Sequence, residues 1–409
     1  MSRIMRTEIF GRRMRRGVSL AAAAGLSLAA ARIAAAQEKL TGFSTFQTGL
    51  IFENVGFGDG LTQKAGNFES TVKSAQQILV PLSLSMPIGS MWRADVTTIF
   101  GNGQATFVDE AGETATAKLS GLHDVRLRAT GKLRDEGLVA TFGVNIPTGK
   151  RGLDPEQVAA LGVLAAPALG IYLPSVSLGP SETAGLVASR SIGDWAWAAG
   201  ASYELRNSFS PVAALAAGVG DPKFDPGDAV HLSLGADRFI GENSLNISAI
   251  ADIYTQDKLL ASSGGIPSTV RLGPTLGVDA QYHVATHALS DLTVFASDRH
   301  RGSFSRDGAS VDGSSANYLS AGIRGNRPIN AGTDILGSIE LWNHTGLTSD
   351  QALVTANAFM TAFTVGVNRH VGNVAWSPYA RFRVGQVDTG VDKGSVTGFS
   401  IGANVLTRF

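Results

Sequence analysis

Apolar and polar residues alternate through most of the chain after residue 36, in segments of about ten residues. The last segment, residues 399–409, shows the pattern most clearly, because Phe399, Ile401, Ala403 and Val405 are separated by polar or small residues. A two-residue period is typical of a β-strand with two different faces. Tilted strands cross a membrane in about 9–11 residues. The pattern therefore predicts strands with one face in lipid and the other in water.

Two segments carry aromatic residues near both ends of the apolar face. One has Trp92 and Phe100 at its ends, and the other begins with Trp195 and has Tyr203 near its end. Such rows match the two aromatic belts at the membrane interfaces. The other predicted lipid-facing rows are Val230, Leu232, Leu234 and Ala236; Leu245, Ile247, Ala249, Ala251 and Ile253; and Phe359, Phe363, Val365 and Val367.

Short and long connections alternate between the segments, which predicts short periplasmic turns and long extracellular loops. The tight turns are predicted at residues 87–90, 131–137, 193–194, 240–243, 284–286, 328–332 and 371–373. The long connections are predicted at residues 54–74, 102–118, 148–181, 207–228, 255–268, 299–316, 344–357 and 387–396.

These segments predict an all-β fold, a transmembrane antiparallel up-and-down β-barrel of about 16 strands. Residues 41–52 are the first strand, which should pair with residues 399–409 and close the barrel. If residues 41–52 form a plug instead, the last strand closes on residues 76–86 or a neighbour, and the count falls to about 14. An antiparallel sandwich predicts the same alternation but does not account for so many repeats.

Composition narrows the possible functions. The chain has 409 residues, with 34 Lys and Arg, 34 Asp and Glu, and no Cys. Neutral charge gives no reason to expect a nucleic acid partner, which would require clustered basic residues. The missing cysteines exclude disulfides, thiolate metal sites and a catalytic thiol. No long apolar run follows residue 36, so a membrane can be entered only by alternating segments.

The first 36 residues read as a signal peptide. A basic region with four arginines at residues 12–16 precedes an apolar stretch at residues 18–31 and the small residues Ala34, Ala35 and Ala36. This order predicts cleavage after Ala36 and a barrel domain at residues 37–409. A retained membrane helix is the alternative, but Arg32 interrupts the apolar run.

The chain ends in an aromatic residue, Phe409. With the preceding alternating segment, this residue resembles the last strand of bacterial outer-membrane β-barrel proteins, in which it serves as an assembly signal. The resemblance implies a location in the bacterial outer membrane. It also implies outer-membrane lipid and the barrel-assembly machinery as partners.

Charged residues of both signs fall between the apolar positions and predict a wetted lumen. Opposite charges on neighbouring strands can compensate each other within the wall. Alternatively, the pairs Arg126 with Arg128 and Arg381 with Arg383 form positive rows that favour anions, so the sign of the pore charge stays open. The predicted pore-lining residues are Arg93, Asp95, Asp124, Arg126, Arg128, Glu204, His231, Asp237, Asp252, Arg271, Asp279, Arg324, Glu340, Arg381 and Arg383.

Residues 148–181 are the longest predicted connection and contain a helix signal, with a capping Asp154, Pro155 and Gln157. The apolar run at 158–166 is costly in open water, so the loop either constricts the barrel mouth or packs on other loops or a neighbouring protomer. By position it resembles the inward-folded third loop of sixteen-stranded porins. An apolar constriction favours hydrophobic or aromatic solutes. The predicted constriction residues are Asp154, Leu161, Leu164, Leu169 and Tyr172.

The strand before this loop ends in Pro147, Thr148 and Gly149 at the predicted outer rim. The sequence there resembles the outer-membrane family associated with the meta-pathway of phenol degradation, which implies a channel for aromatic or other hydrophobic compounds. A simple rim turn also explains Pro and Gly at this place. The resulting hypothesis is passive uptake of small, hydrophobic or aromatic solutes. A size-limited, trimeric general diffusion porin and a structural or adhesive barrel with a closed lumen are the alternatives, and monomer and homotrimer both stay open.

Catalytic signatures are weak. The seven histidines are scattered singly, and the sequence has neither a nucleophile elbow nor a helical pair of zinc-binding histidines. His231, Ser233 and Asp252 could meet across neighbouring strands, a coincidence that is common in a polar lumen. We therefore expect no enzyme activity, no cofactor and no metal.

Overall fold

The computed structural model describes residues 43–65, 68–108, 112–134, 137–171, 176–213, 221–260, 268–286, 291–346 and 356–409. The predicted signal peptide, residue Thr41 at the start of the predicted first strand, and Tyr172 lie outside these described residues.

Alternating sequence segments form long β-strands throughout the described residues. The strands are β1 (Thr45–Ala65), β2 (Phe68–Ile88), β3 (Trp92–Val108), β4 (Thr114–Leu122), β5 (Val125–Arg134), β6 (Leu138–Ile146), β7 (Ser181–Ile192), β8 (Trp195–Arg206), β9 (Lys223–Asp225), β10 (Ala229–Ile240), β11 (Asn243–Tyr254), β12 (Gln256–Leu260), β13 (Ser268–Arg271), β14 (Thr275–Val284), β15 (Asp291–Arg301), β16 (Ser305–Arg306), β17 (Ala309–Ser310), β18 (Ala316–Asn330), β19 (Thr333–Thr345), β20 (Asn357–Val371), β21 (Val374–Asp388) and β22 (Lys393–Arg408).

Antiparallel pairing of these strands closes a barrel. Going round the wall, each strand pairs with the next in the order β1, β2, β3, β4 with β5, β6, β7, β8, β10, β11, β14, β15, β18, β19, β20, β21 and β22. β4 and β5 both pair with β3 and together occupy one wall position. The prediction of a closed barrel with 16 strands is therefore confirmed, and the alternative with fewer strands is not.

The closing pair is β1 with β22. Its register runs from Thr45 opposite Arg408 to Phe57 opposite Val396. Ser44 and Phe409 exchange two backbone hydrogen bonds of 2.9 and 3.0 Å. The first strand is therefore part of the wall and not a plug, as predicted for its described part. It also continues well beyond the predicted end at residue 52.

Outward and inward side chains alternate along the wall strands. On β22, Ile401 is 58% exposed, whereas Ser400 is buried and bonded to Glu53 and Arg383 inside the barrel. Each of the sixteen wall positions carries at least one large exposed apolar side chain. The outer surface is thus apolar all round, which is what a lipid-facing wall requires. No helix in the described ranges is long and apolar enough to cross a membrane.

An arginine on the lipid face tests this assignment of faces. We expect Ile401→Arg to destabilise the folded barrel by about 2 kcal/mol, because the guanidinium would enter the hydrocarbon layer. Asn404→Arg on the same strand is the matched control, since Asn404 is assigned to the lumen side. Urea unfolding of the barrel in lipid vesicles measures both effects, and equal losses for the two variants would contradict the assignment.

Three connections predicted as long loops are mainly continued strands. β1 and β2 extend through residues 54–74, β3 and β4 occupy most of 102–118, and β21 and β22 leave only a short turn within 387–396. Other external segments form a separate five-stranded sheet from β9, β12, β13, β16 and β17. Arg271 lies in this external sheet, opposite Gln256. The prediction that Arg271 lines the pore is therefore wrong, because the residue is not part of the barrel wall.

The apolar core of the molecule lies inside the barrel. It joins lumen-facing side chains from the outer halves of β1–β4 and β19–β22 to the connection between β6 and β7. Its largest fully buried side chains from the wall are those of Phe57, Leu61, Leu119, Trp342 and Met360. The connection between β6 and β7 therefore forms part of the lumen, and it is the candidate functional site.

Candidate functional site: the loop inside the barrel

The loop between β6 and β7 contains an α-helix, α1 (Pro155–Leu164), and a 3₁₀ helix, η1 (Pro167–Leu169). The predicted helix start is present. The Asp154 carboxylate accepts a 2.9 Å hydrogen bond from the Gln157 backbone N–H, and the Gln157 side chain accepts one of 3.2 Å from the Asp154 N–H. This reciprocal arrangement satisfies two N–H groups that a helix start otherwise leaves without partners. Asp154 therefore fixes the start of the helix and is exposed.

α1 is attached to the wall by apolar packing. Leu161 and Leu164, with Val158, Ala160 and Val163, are buried in the lumen cluster, and the helix contacts β2, β3 and β4. Burial of each leucine contributes about 1.5–3 kcal/mol. These side chains are buried, so they hold the loop inside the barrel and do not present an apolar surface to the pore.

η1 reaches the wall at β19, β20 and β21. The Trp342 Nε1–H donates a 3.3 Å hydrogen bond to the Ala168 carbonyl, and the Arg383 guanidinium donates one of 2.9 Å to the Leu169 carbonyl. Gly170 follows with φ 60°, and a Cβ there would lie 2.9 Å from the Trp342 ring. Only glycine fits, because the backbone is left-handed and the ring is close.

Asp124 joins the two ends of the loop. One carboxylate oxygen accepts from the Gly149 N–H at 2.9 Å, and the other accepts from the Leu178 N–H at 2.8 Å, the Asn145 amide at 2.8 Å and the Ser177 hydroxyl at 3.2 Å. Residue Asp124 is fully buried. The expectation that Asp124 lines the open pore therefore needs correction, because its carboxylate is enclosed by the base of the loop.

Opposite charges meet in the lumen, in one case across the neighbouring strands β3 and β5, in another along β3, and in a third between β19 and β21 on either side of β20. Asp95 lies 3.6 Å from Arg128 and 3.9 Å from Arg93, and Glu340 lies 2.8 Å from Arg381. These pairs match the predicted compensation of charge. The positive charge of the two predicted arginine rows is therefore partly neutralised, because both Arg128 and Arg381 have carboxylate partners.

Arg383 differs from the other pore arginines in being completely buried. Its guanidinium bonds the Glu53 carboxylate and the Ser400 hydroxyl, both at 2.6 Å, in addition to the Leu169 carbonyl. Gln77 donates to the second oxygen of Glu53. The expectation that Arg383 faces the pore therefore needs correction, because the loop covers it.

The remaining predicted pore residues lie on the opposite part of the wall, from β5 to β18. His231 lies between Asp252 at 2.8 Å and Glu204 at 3.4 Å, so it links β8, β10 and β11. Asp252 is buried in this cluster. Further members of the set are placed as follows: Asp237 accepts from Asn246, Asp279 pairs with Arg299 at 2.6 Å, Arg324 donates to Gln281 at 3.3 Å, and Arg126 lies opposite Thr97 and Asn145.

Glu53, Arg299 and Trp342 belong to the site but were missing from the predicted set. Glu53 and Arg299 lie on alternating strands and share a face with predicted residues, so an extended count of lumen positions would have included them. Trp342 carries no signal of this kind, because a tryptophan in a barrel strand is more often expected at the lipid interface.

Small side chains line the inner face of the opposite wall. Gly185, Gly200 and Gly235 lie at lumen-facing positions of β7, β8 and β10, next to Ser202 and Ser233. Three aromatic side chains also point inward, those of Phe295, Tyr318 and Tyr379. Their orientation follows from the alternation along each strand, because Val294 next to Phe295, Leu319 next to Tyr318, and Phe382 three positions after Tyr379 are exposed outside. No group of three His, Asp or Glu side chains within the described ranges is arranged to hold a metal ion.

No family model matches the chain, and no curated protein sequence does. Solved structures with similar folds include OprB of Pseudomonas putida at high pH, with 13% identity, a TM-score of 0.47, and coverage of 91% of this chain and 96% of OprB. The deltaS2 mutant of the TodX monoaromatic hydrocarbon channel matches with 10% identity, a TM-score of 0.47 and coverage of 90% of each chain. OccK1 (OpdK) of Pseudomonas aeruginosa matches with 10% identity, a TM-score of 0.44, and coverage of 89% of this chain and 99% of OccK1. All three are outer-membrane β-barrels in fold, and similarity at this level identifies neither a family nor a solute.

Proposed function

We propose that this protein is a passive channel in the bacterial outer membrane that admits small solutes. The supporting observation is a loop folded into a closed barrel and bonded to its inner wall, while the outer wall is apolar throughout. Such a loop narrows the lumen without contributing an energy-coupled plug. The path for solutes then runs between the loop and the small and polar side chains of β7–β15.

We further propose that the preferred solutes carry an aromatic or otherwise apolar part. The buried leucines of the loop do not supply contacts for such solutes, and we assign this role to the inward-facing rings of Phe295, Tyr318 and Tyr379. Arg381, bonded to Glu340 and 5.5 Å from the Trp342 ring, adds a polar group nearby. Aromatic rings beside charged groups suit solutes with one apolar and one polar end.

Liposome swelling with solutes of matched mass tests this proposal. We expect phenyl-bearing solutes to enter faster than sugars of the same size, and planar bilayers to show open current. Entry rates that depend on size alone would favour the general diffusion porin. Neither swelling nor current would favour a structural or adhesive barrel with a closed lumen.

A further inference from the structure

The loop is attached to the barrel in two different ways. Its base is held by Asp124, which bonds both ends, and α1 is held by apolar packing on β2–β4. The far end, η1, buries Ala168 and Leu169 in the same apolar cluster, and in addition it accepts directed hydrogen bonds from Trp342 and Arg383 at two consecutive carbonyls. Hydrogen bonds weaken steeply with distance and angle, whereas apolar packing has no direction. The position of the far end thus depends on the direction of two side chains of the wall, those of Trp342 and Arg383.

We propose that Trp342 and Arg383 form a latch that holds η1 against the wall and sets the width of the pore. This inference rests on the proposed channel function and adds the residues that position its constriction. The carbonyls of Ala168 and Leu169 lie at the end of a 3₁₀ helix, where backbone acceptors lack partners within the helix. A cation and an indole N–H supply the missing donors.

The latch arginine is itself fixed by the wall. Glu53 and Ser400 bond its guanidinium from β1 and β22, on the strands that close the barrel. Its Nε–H has no hydrogen-bond partner in the described part of the chain. The side chain is therefore held in one orientation by the closing strands and directs Nη1 towards η1. The position of the loop end depends in this way on the closure of the barrel.

Charge has to be balanced in any test of the latch. Removing Arg383 alone would leave Glu53 without its cation in a partly buried position, which destabilises folding whether or not the latch exists. Glu53→Gln with Arg383→Met removes both charges together. The pair Asp279→Asn with Arg299→Met is the matched control, because it removes an ion pair of the same 2.6 Å length from the lumen but no hydrogen bond to η1. Trp342→Phe removes the indole N–H together with part of the bicyclic ring system and keeps a six-membered aromatic ring.

Thiol labelling reports the latch directly. The chain has no cysteine, so Ala168→Cys introduces a single thiol at a fully buried position of η1. In this background we expect labelling by a water-soluble maleimide to be about tenfold faster with Glu53→Gln and Arg383→Met, and about threefold faster with Trp342→Phe. The control pair should leave the rate unchanged. Heat-resistant migration of the folded barrel confirms that each variant is intact.

Two results would overturn the latch. One is an equal labelling rate in the parent and the Glu53→Gln, Arg383→Met variant, and the other is an equal acceleration in the control pair. Labelling requires no ionic current, so it is independent of the channel function. Latch-dependent labelling without any current in planar bilayers would contradict the proposed function alone.

Discussion

Replacing Asp124 with alanine is expected to free both ends of the loop inside the barrel. In the variant, the N–H groups of Gly149 and Leu178 lose their acceptor, as do the side chains of Asn145 and Ser177. Hydrogen bonds to a charged acceptor contribute about 1.5–3 kcal/mol each, and they are not additive. We expect a total loss of about 3–5 kcal/mol, since several buried donors would be left without partners.

Limited proteolysis with trypsin measures this release. Arg151 is exposed near the start of the loop, and it should become a cleavage site once Gly149 is no longer held. Asp237→Ala is the control, because Asp237 is a lumen carboxylate that bonds Asn246 and not the loop. Asp124→Asn keeps one acceptor oxygen and should be cut at an intermediate rate. Equal cleavage of Asp124→Ala and Asp237→Ala would contradict the assigned role.

The wall of the barrel is predictable from the sequence because lipid imposes a simple rule. Each crossing strand must show an apolar residue at every second position, and the last segment from Phe399 to Val405 follows this rule throughout. The pairing with β1 follows from closure, because a barrel leaves no strand edge without a partner. The start of α1 is predictable for a similar reason, since Asp154 and Gln157 satisfy local backbone groups.

The contacts inside the lumen join residues that lie far apart in the sequence, and the alternating pattern does not show which of these residues meet. Glu53 and Arg383 are 330 positions apart and meet only because β22 lies between their strands. Asp124 lies at the interruption between β4 and β5, where the alternation of faces ends and the side chain turns to the base of the loop. The long external hairpins were read as loops for a different reason. Above the membrane the outer face of a strand meets water, and the apolar residues, such as Val55 and Phe57, lie on the inner face against the loop, so the outward apolar row that marks a crossing strand is missing.

Removing α1 and η1 should widen the pore more than any single substitution. Replacement of Pro155–Leu169 by a short Gly and Ser linker takes away Leu161, Leu164 and Leu169 together with the two latch acceptors. We expect a lower stability as well, because each buried leucine contributes about 1.5–3 kcal/mol. The sixteen wall strands keep their mutual hydrogen bonds, so the barrel itself should still fold.

A deletion elsewhere provides the control for this change. The small hairpin of β16 and β17, residues 305–310, belongs to the external five-stranded sheet and not to the lumen cluster. Its removal should leave the conductance as it is. An equal rise in conductance in the two deletion variants would mean that shortening any loop alters the current.

The single-channel conductance of the barrel without Pro155–Leu169 tests the central claim most directly. If the loop constricts the pore, planar bilayer recordings will show a conductance about twofold higher or more than that of the intact chain, with the 305–310 deletion unchanged. An unaltered conductance in a correctly folded barrel without the loop would contradict the account.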